Sequence, residues 1–147
     1  MSDDAPAAGR LEAGTHYLPV RVYYEDTDFS GVVYHANYLR FMERGRTELL
    51  RATGIDQAAL HEGGRGMIFV VRRMGIEFVR PARMDDILEI ETRTVDIRGA
   101  SINLSQRILC GFEVLVTADV QVAALADGRP VRIPDAVRDA LDPPAAR

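Results

Sequence analysis

Only one segment of this chain has the three- and four-residue spacing of a long helix, and this limits the folds open to it. Apolar residues recur on one side from about residue 37 to residue 52, and charged residues occupy much of the opposite side. Gly45 lies on the apolar side, where glycine costs about 1 kcal/mol of helix propensity relative to alanine. We therefore expect an amphipathic helix that approaches a sheet closely at Gly45.

Most of the remaining chain alternates between apolar and polar residues, which is typical of strands. One alternating segment precedes the helix and four follow it: residues 17–24, 70–78, 86–98, 102–110 and 114–124. The alternation slips at Val95 and Ile97, which predicts a β-bulge. The sequence therefore predicts an α+β domain, with a five-stranded, mainly antiparallel sheet packed on one central helix.

The chain length of 147 residues suits a single domain. Residues 1–15 are small and polar and contain Gly, Pro and Ala, so we expect them to form a disordered tail. Residues 142–147 contain two prolines and predict a second tail. The single domain is then expected to span residues 16–141.

Charge and cysteine content exclude several classes of protein. All 18 basic residues are Arg, and 22 acidic residues give a net charge of −4, so nucleic acid is not an expected partner. Cys110 is the only cysteine, which favours a reducing, cytoplasmic location over a disulfide-framed secreted one. The N-terminus is acidic where a signal peptide needs basic residues, and no apolar run approaches the ~20 residues that span a bilayer. Neither export nor membrane insertion is expected.

The segment most suggestive of chemistry lies at the entrance to the helix and reads EDTDFSGVVYHANY, residues 25–38. Backbone N–H groups in a first helical turn lack intrahelical acceptors and carry partial positive charge, so they can stabilise an oxyanion. A nearby carboxylate would complete a minimal site for acyl hydrolysis. From residue type alone, Asp28 is a catalytic acid or a turn former, while Asp26 and His35 are catalytic, capping or packing residues.

Other common sites are absent from the sequence. It contains no phosphate-binding GxxxxGK[ST] or GxGxxG motif after a strand, and no GxSxG nucleophile motif. The three histidines and the one cysteine are too scattered to form a local metal-binding motif. We expect neither a metal nor a cofactor.

Three stretches of the chain resemble the 4-hydroxybenzoyl-CoA thioesterase family of hotdog-fold proteins, and within it the bacterial Tol-Pal-associated acyl-CoA thioesterases. They are VYYEDTDFSGVVYHANYLRFMERGRTELLR at residues 22–51, FVVRRMGIEFVRPARMDDILEIET at residues 69–92, and RGASINLSQRI at residues 98–108. The resemblance covers most of the chain between residues 20 and 125.

This resemblance implies a hotdog fold, a catalytic Asp at Asp28 and an oxyanion donor at the backbone N–H of His35. It also implies a homodimer or homotetramer with active sites at the dimer interface. At the position of His35, the Tol-Pal-associated branch has a His, whereas the aryl-CoA enzymes have a Tyr. We therefore expect short to medium aliphatic acyl-CoAs as substrates.

Other candidate site residues are less specific. Four lie at the helix entrance and are expected to contact substrate or support the site: Gly31, Tyr34, Asn37 and Tyr38. Arg98 and Ser101 flank a predicted strand turn and are weak candidates for contacts to coenzyme A.

Several functional alternatives stay open at this point. The leading reading is acyl-CoA hydrolysis in which Asp28 attacks the thioester or activates water, and the sequence does not decide between these routes. A second reading is an interaction subunit that binds an acyl carrier protein or an envelope complex and hydrolyses thioesters incidentally. A third is a thioesterase specific for aryl-CoA.

Overall fold

The computed structural model describes residues 5–55 and 66–141. The elements follow in chain order: β1 (Arg10–Glu12), β2 (Thr15–Arg21), a 3₁₀ turn (Tyr24–Asp26), α1 (His35–Ala52), β3 (Ile68–Phe78), β4 (Ile87–Ile97), β5 (Ser101–Cys110), β6 (Glu113–Ala126), β7 (Arg129–Pro130) and α2 (Asp135–Leu141).

The strands form one antiparallel sheet in the order β1-β2-β4-β5-β6-β3, with β7 paired to β6. Five of the strands have seven or more residues and match the five predicted ones, while β1 and β7 are short additions. The sheet packs on α1, which confirms the hotdog fold. Although β3 follows α1 in sequence, it lies at the edge of the sheet farthest from β2.

The close approach predicted at Gly45 is confirmed. A Cβ atom built on Gly45 would lie 2.8 Å from Cγ2 of Ile90 and 2.9 Å from Oγ1 of Thr92, both on β4. Beside this contact, the buried Gln106 Nε2 donates hydrogen bonds to Oγ1 of Thr92 and to the carbonyl oxygen of Met42, each 2.9 Å long. The middle of α1 is therefore fixed to the sheet by van der Waals contact and by a satisfied polar bridge.

The bulge predicted in β4 is also confirmed, since the register shifts between Thr94 and Asp96. The prediction of a tail through residue 15 was wrong for residues 10–12, which form β1 and pair with β2. This strand is exposed and is held by backbone hydrogen bonds, so it leaves no apolar pattern in the sequence. The predicted C-terminal tail lies outside the described residues.

The prediction of a single helix missed α2, a seven-residue helix that buries Val137 and Leu141. Such a short helix shows two apolar positions only, which is too few for a periodicity to be recognised. None of the helices in the described ranges is long and apolar enough to cross a membrane.

Candidate active site

The loop between β2 and α1 is held in place by the loop that precedes β4. Val22 donates its N–H to the carbonyl oxygen of Asp86 at 2.9 Å, and Val33 donates to that of Ala82, also at 2.9 Å. Thr27 and Val33 form an isolated antiparallel bridge, so the intervening residues fold back as a tight turn. This turn carries Asp28 at its exposed tip.

The turn fixes the Asp28 carboxylate and keeps it ionised. Gly31 adopts a φ of +84°, in the left-handed region that favours glycine, and donates its N–H to the Asp28 carbonyl oxygen. The carboxylate Oδ1 accepts hydrogen bonds from the Ser30 hydroxyl and from the Ser30 N–H, the latter at 2.8 Å. These bonds, the hydroxyl first, lower the pKa of Asp28, and the nearby His35 imidazole contributes a smaller part.

The N-terminus of α1 opens at the same entrance. Tyr34 precedes the helix with an extended backbone, at φ −64° and ψ 134°, and its side chain does not cap the helix. His35 is the first helical residue, and its side chain is exposed. The first backbone N–H groups of a helix have no intrahelical acceptor, so this end of α1 presents donors to a ligand.

Aromatic side chains form one wall of the entrance. The Tyr34 and His35 ring centroids are 4.4 Å apart, and the Phe78 ring meets His35 edge-on at 6.2 Å. Phe78, the last residue of β3, is about half-exposed, at 46%. Phe78 was not among the predicted site residues. It lies more than forty residues after the helix entrance in the chain, and no local spacing links the two.

Asn37 and Tyr38, predicted to contact substrate or support the site, use their polar atoms inside the protein. Asn37 Nδ2 donates to Oδ1 of Asp26 at 2.8 Å, in a buried hydrogen bond. The Tyr38 hydroxyl oxygen accepts the Ala82 N–H at 2.9 Å, and burial raises the pKa of this tyrosine. Both residues therefore hold the entrance together, while Gly31, Tyr34 and the turn tip face outwards.

Arg98 and Ser101 do not join this site within one protomer. Arg98 lies in the turn after β4, and its N–H donates at 2.8 Å to the carbonyl oxygen of Ser101, the first residue of β5. The Asp28 loop is attached at the opposite end of β4, through Val22 and Asp86. A strand of 11 residues separates the two ends, a length of about 35 Å.

A cavity of about 280 Å³ lies between the second half of α1 and the sheet. Its apolar walls come from α1, β3, β5, β6 and α2, and include Leu50, Phe69, Ile102, Leu104, Val122 and Leu141. The half-buried Arg46 also lines it and donates from Nη1 to Oε1 of Gln106 at 3.0 Å. Burial lowers the pKa of Arg46.

The chain is similar to known thioesterases. A family model described as the thioesterase-like superfamily matches residues 22–141. The acyl-CoA thioesterase YbgC of Haemophilus influenzae is 44% identical over 126 residues, which cover 84% of this chain and 92% of that protein. The acyl-CoA thioester hydrolase YbgC of Escherichia coli O6:H1 is 54% identical over 108 residues, 73% of this chain and 79% of that protein. The crystal structure of a probable thioesterase from Bartonella henselae has 50% identity and a TM-score of 0.79, covering 82% of this chain and 99% of that one.

Proposed function

The chain belongs to the thioesterase-like superfamily, and on that premise we propose that it hydrolyses short- and medium-chain aliphatic acyl-CoA thioesters. One observation carries the proposal. The ionised carboxylate of Asp28 and the uncapped N-terminus of α1 lie at the same exposed entrance. Thioester hydrolysis needs these two elements, a base or nucleophile and donors for the developing oxyanion.

In the proposed reaction the thioester carbonyl oxygen accepts hydrogen bonds from the first N–H groups of α1, beginning with that of His35. Asp28 then acts by one of two routes. In the first, its carboxylate attacks the carbonyl carbon and expels the coenzyme A thiolate, and water then hydrolyses the mixed anhydride. In the second, the carboxylate takes a proton from a water molecule that attacks the same carbon. Both routes end with the free acid and coenzyme A.

We propose that the enzyme is a homodimer built on β3, with a tetramer of two dimers as the larger form. Among the described strands, β3 is an 11-residue edge that pairs only with β6. An unpaired edge of this length invites pairing with another chain. A two-fold axis perpendicular to the sheet would join two copies of β3 antiparallel and keep both helices on the same face.

This pairing would bring one protomer's entrance to the partner's cavity. Phe78 lies at the entrance, whereas Phe69, near the other end of β3, lines the cavity. Antiparallel pairing places these two ends of β3 side by side. A thioester held at one entrance would then extend its acyl chain along the apolar walls of the partner's cavity, whose lining also includes Glu43, Arg46 and Thr47. These apolar walls support an aliphatic substrate.

The same pairing gives Arg98 and Ser101 a role across the subunit boundary. Ser101 pairs with Ala123 of β6, and the neighbouring Ala124 pairs with Phe69 at the cavity end of β3. The exposed Arg98 side chain would then contact the coenzyme A bound at the partner's entrance. Contacts between exposed arginines and phosphates weaken as salt rises, so we expect KM to increase with ionic strength.

Release of free thiol from a panel of substrates tests this proposal. The panel runs from acetyl-CoA to dodecanoyl-CoA and adds 4-hydroxybenzoyl-CoA and an acyl carrier protein loaded with an aliphatic chain. We expect graded hydrolysis across the aliphatic acyl-CoAs, because a hydrophobic pocket discriminates one methylene by only about 1–3 kcal/mol. Turnover of 4-hydroxybenzoyl-CoA alone would identify an aryl-CoA thioesterase. If only the loaded carrier protein is hydrolysed, or no substrate in the panel is, the result would favour an interaction subunit.

A further inference from the structure

Asp26 lies two residues before Asp28 but has the opposite environment. Only 7% of its surface is exposed, whereas Asp28 lies on the exposed turn. Asp26 Oδ2 accepts the Tyr23 N–H at 2.8 Å, and Oδ1 accepts Asn37 Nδ2 at 2.8 Å. Within residues 5–55 and 66–141 it forms no ion pair with a basic side chain, so its partners are hydrogen-bond donors alone.

These bonds, with one from the Asp26 backbone, brace the loop internally at Tyr23 and tie it to the start of the helix in two places. Tyr23 lies at the start of the loop, and Asn37 is the third residue of α1. The Asp26 carbonyl oxygen also accepts the Tyr34 N–H, at 2.9 Å, directly before the helix begins. Any rotation of the turn relative to the first helical turn would break one or more of these bonds.

We propose that Asp26 and Asn37 are positioning residues for the reaction. Through them, the Asp28 carboxylate and the first N–H groups of α1 are held at one fixed separation, so that attack and carbonyl polarisation act on the same carbonyl group. This inference rests on the proposed function. Its physical basis is that misplacing a reacting group by about 1 Å can cost about 10²-fold in rate, even when the altered residue does not touch the substrate.

A reciprocal exchange tests the role of the pair. Asn37→Asp sets two carboxylates against each other with no donor between them, and we expect kcat to fall about 10- to 100-fold with KM nearly unchanged. Asn37→Ala removes only the donor and is expected to lower kcat in the same direction. The double variant Asp26→Asn, Asn37→Asp restores one donor facing one acceptor, and Asp at residue 37 lies in a first helical turn that favours acids. We expect it to recover most of the lost kcat.

The matched control is Thr27→Val. It removes a hydrogen bond from Thr27 Oγ1 to the Tyr24 carbonyl oxygen, which lies within the loop and does not reach the helix. We expect its kcat to match that of the wild type. Melting temperatures are recorded for every variant, since a merely structural role would change stability and leave the kcat of the folded protein intact.

Three results would overturn the inference while leaving the proposed function standing. One is a folded Asn37→Asp protein with wild-type kcat, and another is an exchanged pair that regains its melting temperature without regaining kcat. If Asn37→Asp does not fold, a folded Asn37→Ala protein with wild-type kcat would be the third. By contrast, a wild-type protein that hydrolyses none of the acyl-CoAs defeats the proposed function itself, and with it the inference.

Discussion

The two ends of α1 have opposite surroundings. Its first turn meets an exposed ionised carboxylate and a loop fixed by polar hydrogen bonds, whereas its second half packs over an apolar cavity. The two regions lie roughly 20 Å apart along the helix. One end is suited to chemistry and the other to holding an acyl chain, and a single protomer does not bring them together. This difference is the structural reason to expect that two copies of the chain share each site.

Removing the charge at the chemical end should have the largest effect. Because Asp28 is the proposed base or nucleophile, we expect Asp28→Asn to lower kcat by about 10²–10⁴ while folding is retained. Glu25→Gln is the matched control, since it removes an exposed carboxylate from the same loop. A folded Asp28→Asn enzyme with wild-type turnover, measured by thiol release, would remove Asp28 from the mechanism.

Enlarging the cavity at the other end should change which substrate is preferred. Leu141 is 5% exposed and lines the cavity from α2, so Leu141→Ala should admit longer chains. We expect kcat/KM to shift towards longer acyl-CoAs by a few-fold to about 10-fold per added methylene, with little effect on acetyl-CoA.

The control for this change is Val137→Ala, which truncates a buried residue of α2 that does not line the cavity. It allows for the loss of packing in α2 and should leave the preference for chain length unchanged. Identical substrate profiles for Leu141→Ala and Val137→Ala would show that the cavity does not select the acyl chain.

The smallest expected effect is on the pH dependence of the hydrolysis rate. The Ser30 hydrogen bonds lower the pKa of Asp28, so its active, ionised form persists above that lowered value and is lost only as the pH falls through it. The rate should therefore show no acid limb due to Asp28 between about pH 5 and 8. Ser30→Ala should move the acid limb upwards, towards the ordinary carboxylate pKa, because it removes the hydroxyl hydrogen bond that contributes most to the lowered pKa. A wild-type rate that follows one ionisation at about pH 6.5 would indicate that a histidine, and not Asp28, is the base.

Periodicity was sufficient to predict the helix, the five long strands, the bulge in β4 and the close contact at Gly45. The resemblance added the expectation of catalytic roles for Asp28 and the His35 N–H, which turn chemistry alone left open. Local sequence does not show which way a side chain faces, and Asp26 and Asp28 illustrate this limit. They are two residues apart in one motif, yet one carboxylate is buried against Asn37 and the other is exposed.

Local sequence patterns also do not predict contacts between segments that are distant in the chain. The hydrogen bond from the Ala82 N–H to the Tyr38 hydroxyl oxygen joins residues 44 positions apart and engages this hydroxyl inside the protein. Phe78 reaches the entrance because the end of β3 brings its ring to Tyr38 of α1, with ring centroids 5.7 Å apart. Arg98 and Ser101 lie at one end of β4 and the Asp28 loop at the other. The sequence predicts the length of β4 but not which segments meet at each of its ends.

The most direct test of the account compares two substitutions at the first residue of α1. His35→Ala removes the imidazole and keeps the backbone N–H, whereas His35→Pro also removes the N–H. Proline is favoured at the first helical position, and Tyr34 already has the extended backbone that a following proline requires. With one aliphatic acyl-CoA, we predict that His35→Pro lowers kcat by about 10²–10³ and that His35→Ala lowers it by much less. Equal losses in two folded variants would show that the ring, and not the helix N-terminus, serves the reaction.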